Sequence, residues 1–333
     1  MFQDSVIMVT GGTGSWGQEL VKQLLLQNPK EIIVFSRNES SQVKMRREMT
    51  DSRINFCIGD IRDRDAVVAA CEGVDYIFHL AALKHVPICE EQPYEALKTN
   101  VIGTQNIIEA AIEKGVKKVV NISTDKAADP VNFYGMTKAI GEKLIVYANM
   151  LKANTRFINV RGGNILGSSG SVLNLFIDQL NNKRQISITD KGMIRYFMTP
   201  RMATELLLTA ANEGKGGEIF VLLMPSCRIM DMAEVLIEAK GGKDAEINVI
   251  GSRPGEKLRE ALLSPYEARH AVLLNERYLV VLPTKEIPEL SRHYASVARA
   301  QPEALFADEQ LMTKSEIKQM LTEGGFLNEY PRE

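Results

Sequence analysis

The segment TGGTGSWG, directly after the apolar run SVIMVT (5–10), restricts the fold more than any other stretch of the chain. Gly11, Gly14 and Gly17 are spaced three apart, with Thr13, Ser15 and Trp16 between them. Glycine lets a chain turn sharply with no Cβ in the way, and helix-start N–H groups in such a turn can approach an anion closely. Here the turn leaves a strand, opens a helix and begins a β-α-β unit, the context in which this spacing binds a dinucleotide pyrophosphate.

The runs EIIVFS (31–36), RINFCI (53–58), DYIFHL (75–80) and KKVVNIS (117–123) read as further strands. They are nearly continuous in apolar residues, as parallel strands covered on both faces require. Amphipathic stretches at 17–27 and 100–115 lie between strands, the second stopped by Gly115. This alternation predicts an α/β fold, a Rossmann-type doubly wound parallel sheet, over residues 1–165. Beyond residue 165 the rhythm loosens. Segments 168–182 and 200–214 look helical, 218–223 looks like a strand, and Pro254, Pro265, Pro283 and Pro288 punctuate the remainder. Residues 166–333 are therefore expected to form a smaller substrate-binding lobe interleaved with the first domain. The last ~30 residues show helical periodicity and no readable chemistry.

Forty basic against 42 acidic residues leave a net charge of -2. That balance argues against a nucleic-acid or anionic-membrane partner, which calls for a basic excess. Cys57, Cys71, Cys89 and Cys227 form no CxxC pair, so reduced, mostly buried thiols and no metal site are expected. No stretch approaches the ~18 apolar residues of a membrane-spanning helix. The N-terminus lacks the basic-then-apolar pattern of a signal peptide, and the expectation is a soluble cytoplasmic protein.

The second strand runs into Ser36 and Arg37, with Lys44 further on, where an NAD site usually places an acidic residue for the ribose hydroxyl. A basic residue there can pair with a 2′-phosphate, so NADP is expected rather than NAD. Asp60 and Ile61 follow the third strand and are placed to meet the adenine. The run HLAA (79–82) brings Ala81 and Ala82 to the cofactor cleft, and Lys84 and His85 follow, Lys84 facing cofactor or substrate. His85 reads equally well as a structural histidine.

The fifth strand leads into STDKAADPVNFYGMTK, where Tyr134 and Lys138 stand four apart and share a helix face. A free tyrosine is ionised to about one part in a thousand at pH 7. A nearby ammonium can lower its pKa by ~1–3 units and make it a useful base. Thr124, at the strand end, is placed to hydrogen-bond the same substrate hydroxyl.

With AALKHVPICEEQP (81–93), TNVIGTQN (99–106), STDKAADPVNFYGMTK (123–138), GNILGSSGSV (163–172) and RPGEKLRE (253–260), the chain resembles the extended short-chain dehydrogenase/reductases. More narrowly, it is similar to the inverting UDP-N-acetylglucosamine 4,6-dehydratases of pseudaminic-acid and related sugar pathways. The resemblance implies that Tyr134 deprotonates the sugar 4-hydroxyl as C4 gives up hydride, that Lys126 removes the C5 proton, and that Asp125 protonates the departing C6 hydroxyl. Configuration-retaining relatives acting on dTDP-glucose typically carry Asp-Glu where this chain has Asp125-Lys126. For Lys126 to be a base, burial or neighbouring positive charge is expected around it, and Asp125 needs the opposite push.

Asn164, Val172, Arg253 and Glu256 match positions that contact the UDP-sugar in relatives, and Arg195 is a second phosphate candidate; a guanidinium fork suits a diphosphate. The chain departs from the family's RYGN at Arg161-Gly162-Gly163-Asn164 and from SRGSV at Ser168-Ser169-Gly170-Ser171-Val172. These departures leave open release of the C5–C6 alkene or of a product with C5 retained, and a UDP-sugar 4-epimerase is the alternative on the same scaffold. Relatives pair through a helix bundle that includes the Tyr-x-x-x-Lys segment, which implies a homo-oligomer.

Overall fold

The computed structural model describes residues 1–151, 153–241, 244–300 and 311–327. Residues 301–310 and 328–333, part of the C-terminal stretch read as helical, lie outside them, while Lys314–Glu323 form a helix. The strands are β1 (Val6–Thr10), β2 (Glu31–Ser36), β3 (Ile54–Ile58), β4 (Tyr76–His79), β5 (Lys118–Thr124), β6 (Arg156–Gly162), β7 (Asn164–Ile165), β8 (Gln185–Ile188), β9 (Ile194–Met198), β10 (Ile219–Leu222), β11 (Ser226–Arg228), β12 (Glu246–Val249), β13 (Ala271–Asn275) and β14 (Tyr278–Val281).

Nine of them form one sheet in the order β3-β2-β1-β4-β5-β6-β10-β14-β13. Neighbours from β3 through to β10 are parallel, and β14 and β13 close the far edge antiparallel. The order reverses between β1 and β4, the switch point outside whose carboxyl ends ligands bind in such sheets. Strands β10, β13 and β14 come from beyond residue 165, so the C-terminal part of the chain is woven into the main sheet. The remaining strands make a small β11-β9-β7 sheet and a β12-β8 pair.

Strand alternation sorts the core. Val9, Val120 and Ile158 join an apolar cluster with Leu20, Leu207 and Phe220 on one face. Their neighbours Met8, Val119 and Phe157 join a second cluster with Ile77, Ile107 and Ile145 on the other. Successive side chains point to opposite faces, so continuous apolar strands fill both layers. A third cluster, with Leu166, Phe176, Met193, Phe197 and Ile229, gathers side chains from elements beyond residue 165.

The helix Phe133–Ala148 packs on this sheet and begins at Asn132, whose side chain accepts from Gly135 N–H at 2.8 Å. A Cβ on Gly135 would meet the Lys126 carbonyl at 2.4 Å, so only glycine lets the helix start lie against that segment. Two turns beyond Tyr134, Glu142 is buried and accepts from Arg161 at 3.0 and 2.6 Å. Arg161, fully buried on β6, also donates to Glu267 at 3.1 and 2.9 Å and to the Leu262 carbonyl at 2.9 Å. One guanidinium thus joins the helix, the sheet and the segment at 262–267.

Arg161→Met should leave the buried Glu142 carboxylate uncompensated, take from the half-buried Glu267 its charged partner, and destabilise the protein by about 3–5 kcal/mol. Adding Glu142→Leu and Glu267→Leu should recover most of that loss, read as urea midpoints at constant m-value.

Candidate active site

The carboxyl ends of β1 to β6 lie along one edge of the sheet, and the residues singled out by the sequence sit there. Gly11 leaves β1 with φ +67°, and its N–H donates to the Phe35 carbonyl at 2.8 Å. A Cβ on Gly11 would stand 2.9 Å from the Ala81 backbone, so the glycine turn is pressed against the chain leaving β4. A Cβ on Gly17 would lie 2.5 Å from Gly12 Cα, which is how closely the helix Ser15–Leu25 rests on its own turn. That helix has no side-chain N-cap and no acidic residue in its first turn. Its N-terminal N–H groups remain available to an anion.

At the end of β2, Ser36 is buried with its hydroxyl 3.0 Å from Gln42 Nε2, while Arg37 is exposed and lies 3.6 Å from Asp60. Asp60 is also gripped by Arg62 at 2.8 and 2.6 Å, and Ile61 beside it is buried. Lys84 Nζ reaches the Ser169 carbonyl at 2.8 Å, and Ser15 Oγ lies 3.3 Å from Ser169 Oγ. The 168–171 loop therefore bridges the glycine turn and the chain after β4.

Thr124 ends β5, opposite Gly162 of β6. Its hydroxyl donates to Asp125 Oδ1 at 2.8 Å, and the same oxygen accepts from Lys126 N–H at 2.9 Å and Lys126 Nζ at 3.1 Å. Asp125 is buried, and its Oδ2 is without a partner among the described residues. Lys126, with 15% of its side chain exposed, is 3.6 Å from Glu260, another buried carboxylate with one unpartnered oxygen. Of the two settings expected around Lys126, burial or neighbouring positive charge, the structure supplies burial, with two carboxylates beside the amine. Burial raises the Glu260 carboxyl above the usual range and Asp125 adds to the rise, while Lys126, Arg195 and Lys257 oppose it.

Tyr134 is half-buried, and its hydroxyl is affected in the opposite sense to the sequence expectation. Burial pushes its pKa up, Asp125, Cys89 and Glu260 add to the rise, and only the Thr124 hydroxyl works against it. Lys138, buried one turn along, is itself pushed down to about 8 by burial, with Glu142 opposing. Desolvation dominates at both groups because they are enclosed together. His79 is fully buried between Thr10 and Thr104 and pushed down to about 3 by burial, so it is a neutral structural histidine.

The loop 253–260 is fastened over this segment. Lys257 pairs with Asp129 at 2.9 Å and also donates to its carbonyl, and Asn132 donates to the Gly255 carbonyl at 2.9 Å. Arg253 is exposed, and its N–H donates to Glu256 at 3.1 Å. Arg195 is buried, with its guanidinium donating to the carbonyls of Ile194, Lys257 and Leu258 and lying 4.0 Å from Glu256. Its donors are directed at the loop backbone, a bracing role in place of the phosphate contact expected from sequence. Asn164 donates to the Tyr196 carbonyl at 3.0 Å, and Val172 opens the helix Val172–Lys183.

Two participants were not singled out from sequence. Asn100, in the π-helical turn Lys98–Ile102, exchanges hydrogen bonds of 2.8 and 2.9 Å with the Leu83 backbone and donates to Thr137 at 3.0 Å. Glu260 is the other; the signal available was an acidic residue closing the RPGEKLRE block.

A glycine turn and a Tyr-x-x-x-Lys helix at the carboxyl edge of this sheet define an extended short-chain dehydrogenase/reductase fold. The chain belongs to the polysaccharide biosynthesis protein family, whose sequence model matches residues 7–281. It is 47% identical to an uncharacterized membrane protein of Methanocaldococcus jannaschii over 84% of this chain and 86% of that one. It is 41% identical to a UDP-glucose 4-epimerase of Rickettsia canadensis over 86% of each. Among solved structures, Pen from Bacillus thuringiensis superposes with a TM-score of 0.93 at 38% identity, covering 98% of this chain and all of that one. The dTDP-glucose 4,6-dehydratase DesIV of Streptomyces venezuelae has a TM-score of 0.71 at 24% identity over 79% of this chain and 90% of that one, a likeness of fold. No helix among the described residues is long and apolar enough to cross a membrane.

Gly11→Ala should cost at least about 1–2 kcal/mol from left-handed strain alone, whereas Gly14→Ala, whose Cβ would meet only the Gly11 carbonyl at 3.3 Å, should cost less. Urea unfolding of the two variants side by side checks the order.

Proposed function

We propose that this chain is a UDP-N-acetylglucosamine 4,6-dehydratase that inverts C5 and works with NADP. The observation that carries the reading is the Asp125–Lys126 pair, enclosed beside Tyr134 and joined to Thr124. An enzyme that only oxidises and re-reduces C4 needs Tyr134 and Lys138 and has no task for a largely buried lysine between two carboxylates.

The glycine turn fits a dinucleotide: the helix start behind Gly14 is uncapped, and the buried indole N–H of Trp16 has no partner among the described residues. Gly11, Thr13, Gly14, Ser15, Trp16 and Gly17 would hold the pyrophosphate, Ser36 and Arg37 the ribose phosphate, Asp60 and Ile61 the adenine side, and Ala81, Ala82, Lys84, Tyr134 and Lys138 the nicotinamide side. Arg37 stands where an acidic residue would select NAD, and half its side chain is exposed. The nicotinamide, when bound, supplies the hydride acceptor for C4 and the donor for C6.

Tyr134 takes the proton of the 4-hydroxyl as C4 becomes a ketone, which acidifies C5–H. Lys126 Nζ takes that proton, the C5–H electrons form the C5–C6 double bond, and the C6–O bond breaks. Asp125 delivers a proton to the departing hydroxyl, giving water, and its contact with Lys126 at 3.1 Å lets the proton taken at C5 return to it. With hydride delivered to C6, C5 takes a proton from solvent on the face opposite Lys126, which inverts it, and Tyr134 gives its proton back to solvent, so the cycle closes. On the sugar-nucleotide side, Arg253 is the diphosphate ligand, with Glu256, Asn164 and Val172 in the same pocket.

The relatives named UDP-glucose 4-epimerase favour the second reading. Epimerisation at C4 exchanges nothing at C5. Incubation with UDP-N-acetylglucosamine in D2O, followed by NMR, should therefore place deuterium at C5 and a methyl group at C6. Under this reading Lys126→Ala keeps the first oxidation and stalls with absorbance at about 340 nm, the signature of a reduced nicotinamide, and Tyr134→Phe loses both. Full turnover by Lys126→Ala would overturn it.

We further propose a homo-oligomer built on an apolar face of adjoining helices, where Tyr94, Leu97 and Ile102 are exposed beside Met136, Ile140 and Tyr147. A contiguous exposed apolar face marks an interaction surface, and identical copies most often pair through one shared patch. Ile140→Glu should halve the mass seen by light scattering while leaving the circular dichroism spectrum unchanged.

A further inference from the structure

We propose that Glu260 is a positioning residue of this site: its buried carboxylate, 3.6 Å from Lys126 Nζ, joins that of Asp125 at 3.1 Å in fixing where the lysine's amine stands. The inference rests on the reading of Lys126 as the C5 base and deepens it.

The two carboxylates are unequally satisfied. Three donors converge on Asp125 Oδ1, from the Thr124 hydroxyl, Lys126 N–H and Lys126 Nζ. Glu260 meets the ammonium at 3.6 Å through Oε1, and its Oε2 is buried without a partner among the described residues. A carboxylate enclosed to 2% exposure with so little hydrogen bonding is costly unless a positive charge stays near it. Lys126 is the nearest such charge. The charged groups that act on Glu260 are Lys126 and Asp125 from the segment after β5, Arg195 from β9 and Lys257 from its own loop, and Glu260 in turn acts on Tyr134. Arg195 and Lys257 are engaged with the loop backbone and with Asp129.

The consequence is positional. With a carboxylate 3.1 Å away on Asp125 and another 3.6 Å away on Glu260, the amine of Lys126 is held between the segment after β5 and the loop 253–260. The proton it takes from C5 passes on to Asp125 across the shorter contact. Because Glu260 closes the loop that begins at Arg253, the lysine is also held in place by the segment assigned to the diphosphate.

The test uses the full-length holoenzyme and the variants Glu260→Gln and Glu260→Asp. Acetylation with acetic anhydride, quantified on the Lys126 peptide by mass spectrometry, reads how freely the amine leaves its two carboxylates without depending on turnover. Glu260→Gln should raise the labelling rate about tenfold, the size expected for losing one charged contact, and Glu260→Asp should bring it most of the way back. Deuterium entry at C5 from UDP-N-acetylglucosamine should slow in kcat with KM unchanged. An unchanged labelling rate in Glu260→Gln overturns the proposal. So does a ranking in which the isosteric Gln behaves as wild type and Asp does not, since that is the pattern of a purely structural side chain. Absence of C5 exchange in the wild-type enzyme overturns the dehydratase reading instead, and the labelling rate still decides the role of Glu260. If Glu260→Gln does not fold, Glu260→Ala is read in the same way, and labelling at the wild-type rate counts against the proposal.

Discussion

A fully buried guanidinium between two carboxylates is the constraint on which the site depends. Arg161 holds Glu142 on the Tyr-x-x-x-Lys helix and Glu267 in the C-terminal part of the chain, and it caps the carbonyl of Leu262 as well. Such a triad is a poor source of net stability, because desolvating three charges cancels most of their attraction. Its contribution is register. Only one rotation of the helix puts Glu142 against Arg161, and that rotation carries Lys138 and Tyr134, one and two turns earlier, to the ends of β5 and β6. Glu267 also caps the short helix Pro265–Ala268, so the same carboxylate fixes the chain leading away from the loop at 253–260.

What the sequence made legible follows from how local each signal is. The glycine turn, the continuous apolar strands and the Tyr134–Lys138 spacing are decided within a few residues, and the parallel sheet came through. Asp125 and Lys126 were legible by likeness to a family, not by spacing. The return of β10, β13 and β14 to the main sheet was not visible, because strand pairing across long separations leaves no local mark. The same holds for partners of buried charges: Arg161 and Glu267 are 106 residues apart, and Lys257 and Asp129 are 128 apart. Arg195 read as a phosphate ligand because an arginine near such a site usually is one. Its direction depends on the loop that folds over it.

Electrostatics was the least legible layer. A lysine one turn from a tyrosine suggests a lowered phenol pKa, yet burial raises the phenol and brings the lysine down to about 8. Enclosure acts on both partners at once, and its size cannot be read from composition. The polar skeleton around the site is therefore organised by neutral hydrogen bonds where it can be: His79 lies between two threonines and Asn100 closes on the Leu83 backbone. Two groups of buried charge stand out, the Arg161 triad and the cluster of Asp125, Lys126 and Glu260.

That concentration gives the loop 253–260 a mechanical meaning. Its first residue, Arg253, is exposed and free to meet an anion, and its last, Glu260, lies against Lys126. Between them, Gly255 is fastened to the cap of the Tyr-x-x-x-Lys helix and Lys257 to Asp129. The exposed end is thus linked through these fastened residues to the segment that carries Asp125 and Lys126. Binding energy from a part of the substrate that does not react can thus be used to order the groups that do, the condition for a remote contact to raise the rate of chemistry and not only affinity. A neutral side chain at position 260 would break this coupling at the reacting end while leaving the anion contact intact. That separation makes the two ends of the loop distinguishable by kinetics, one in KM and the other in kcat.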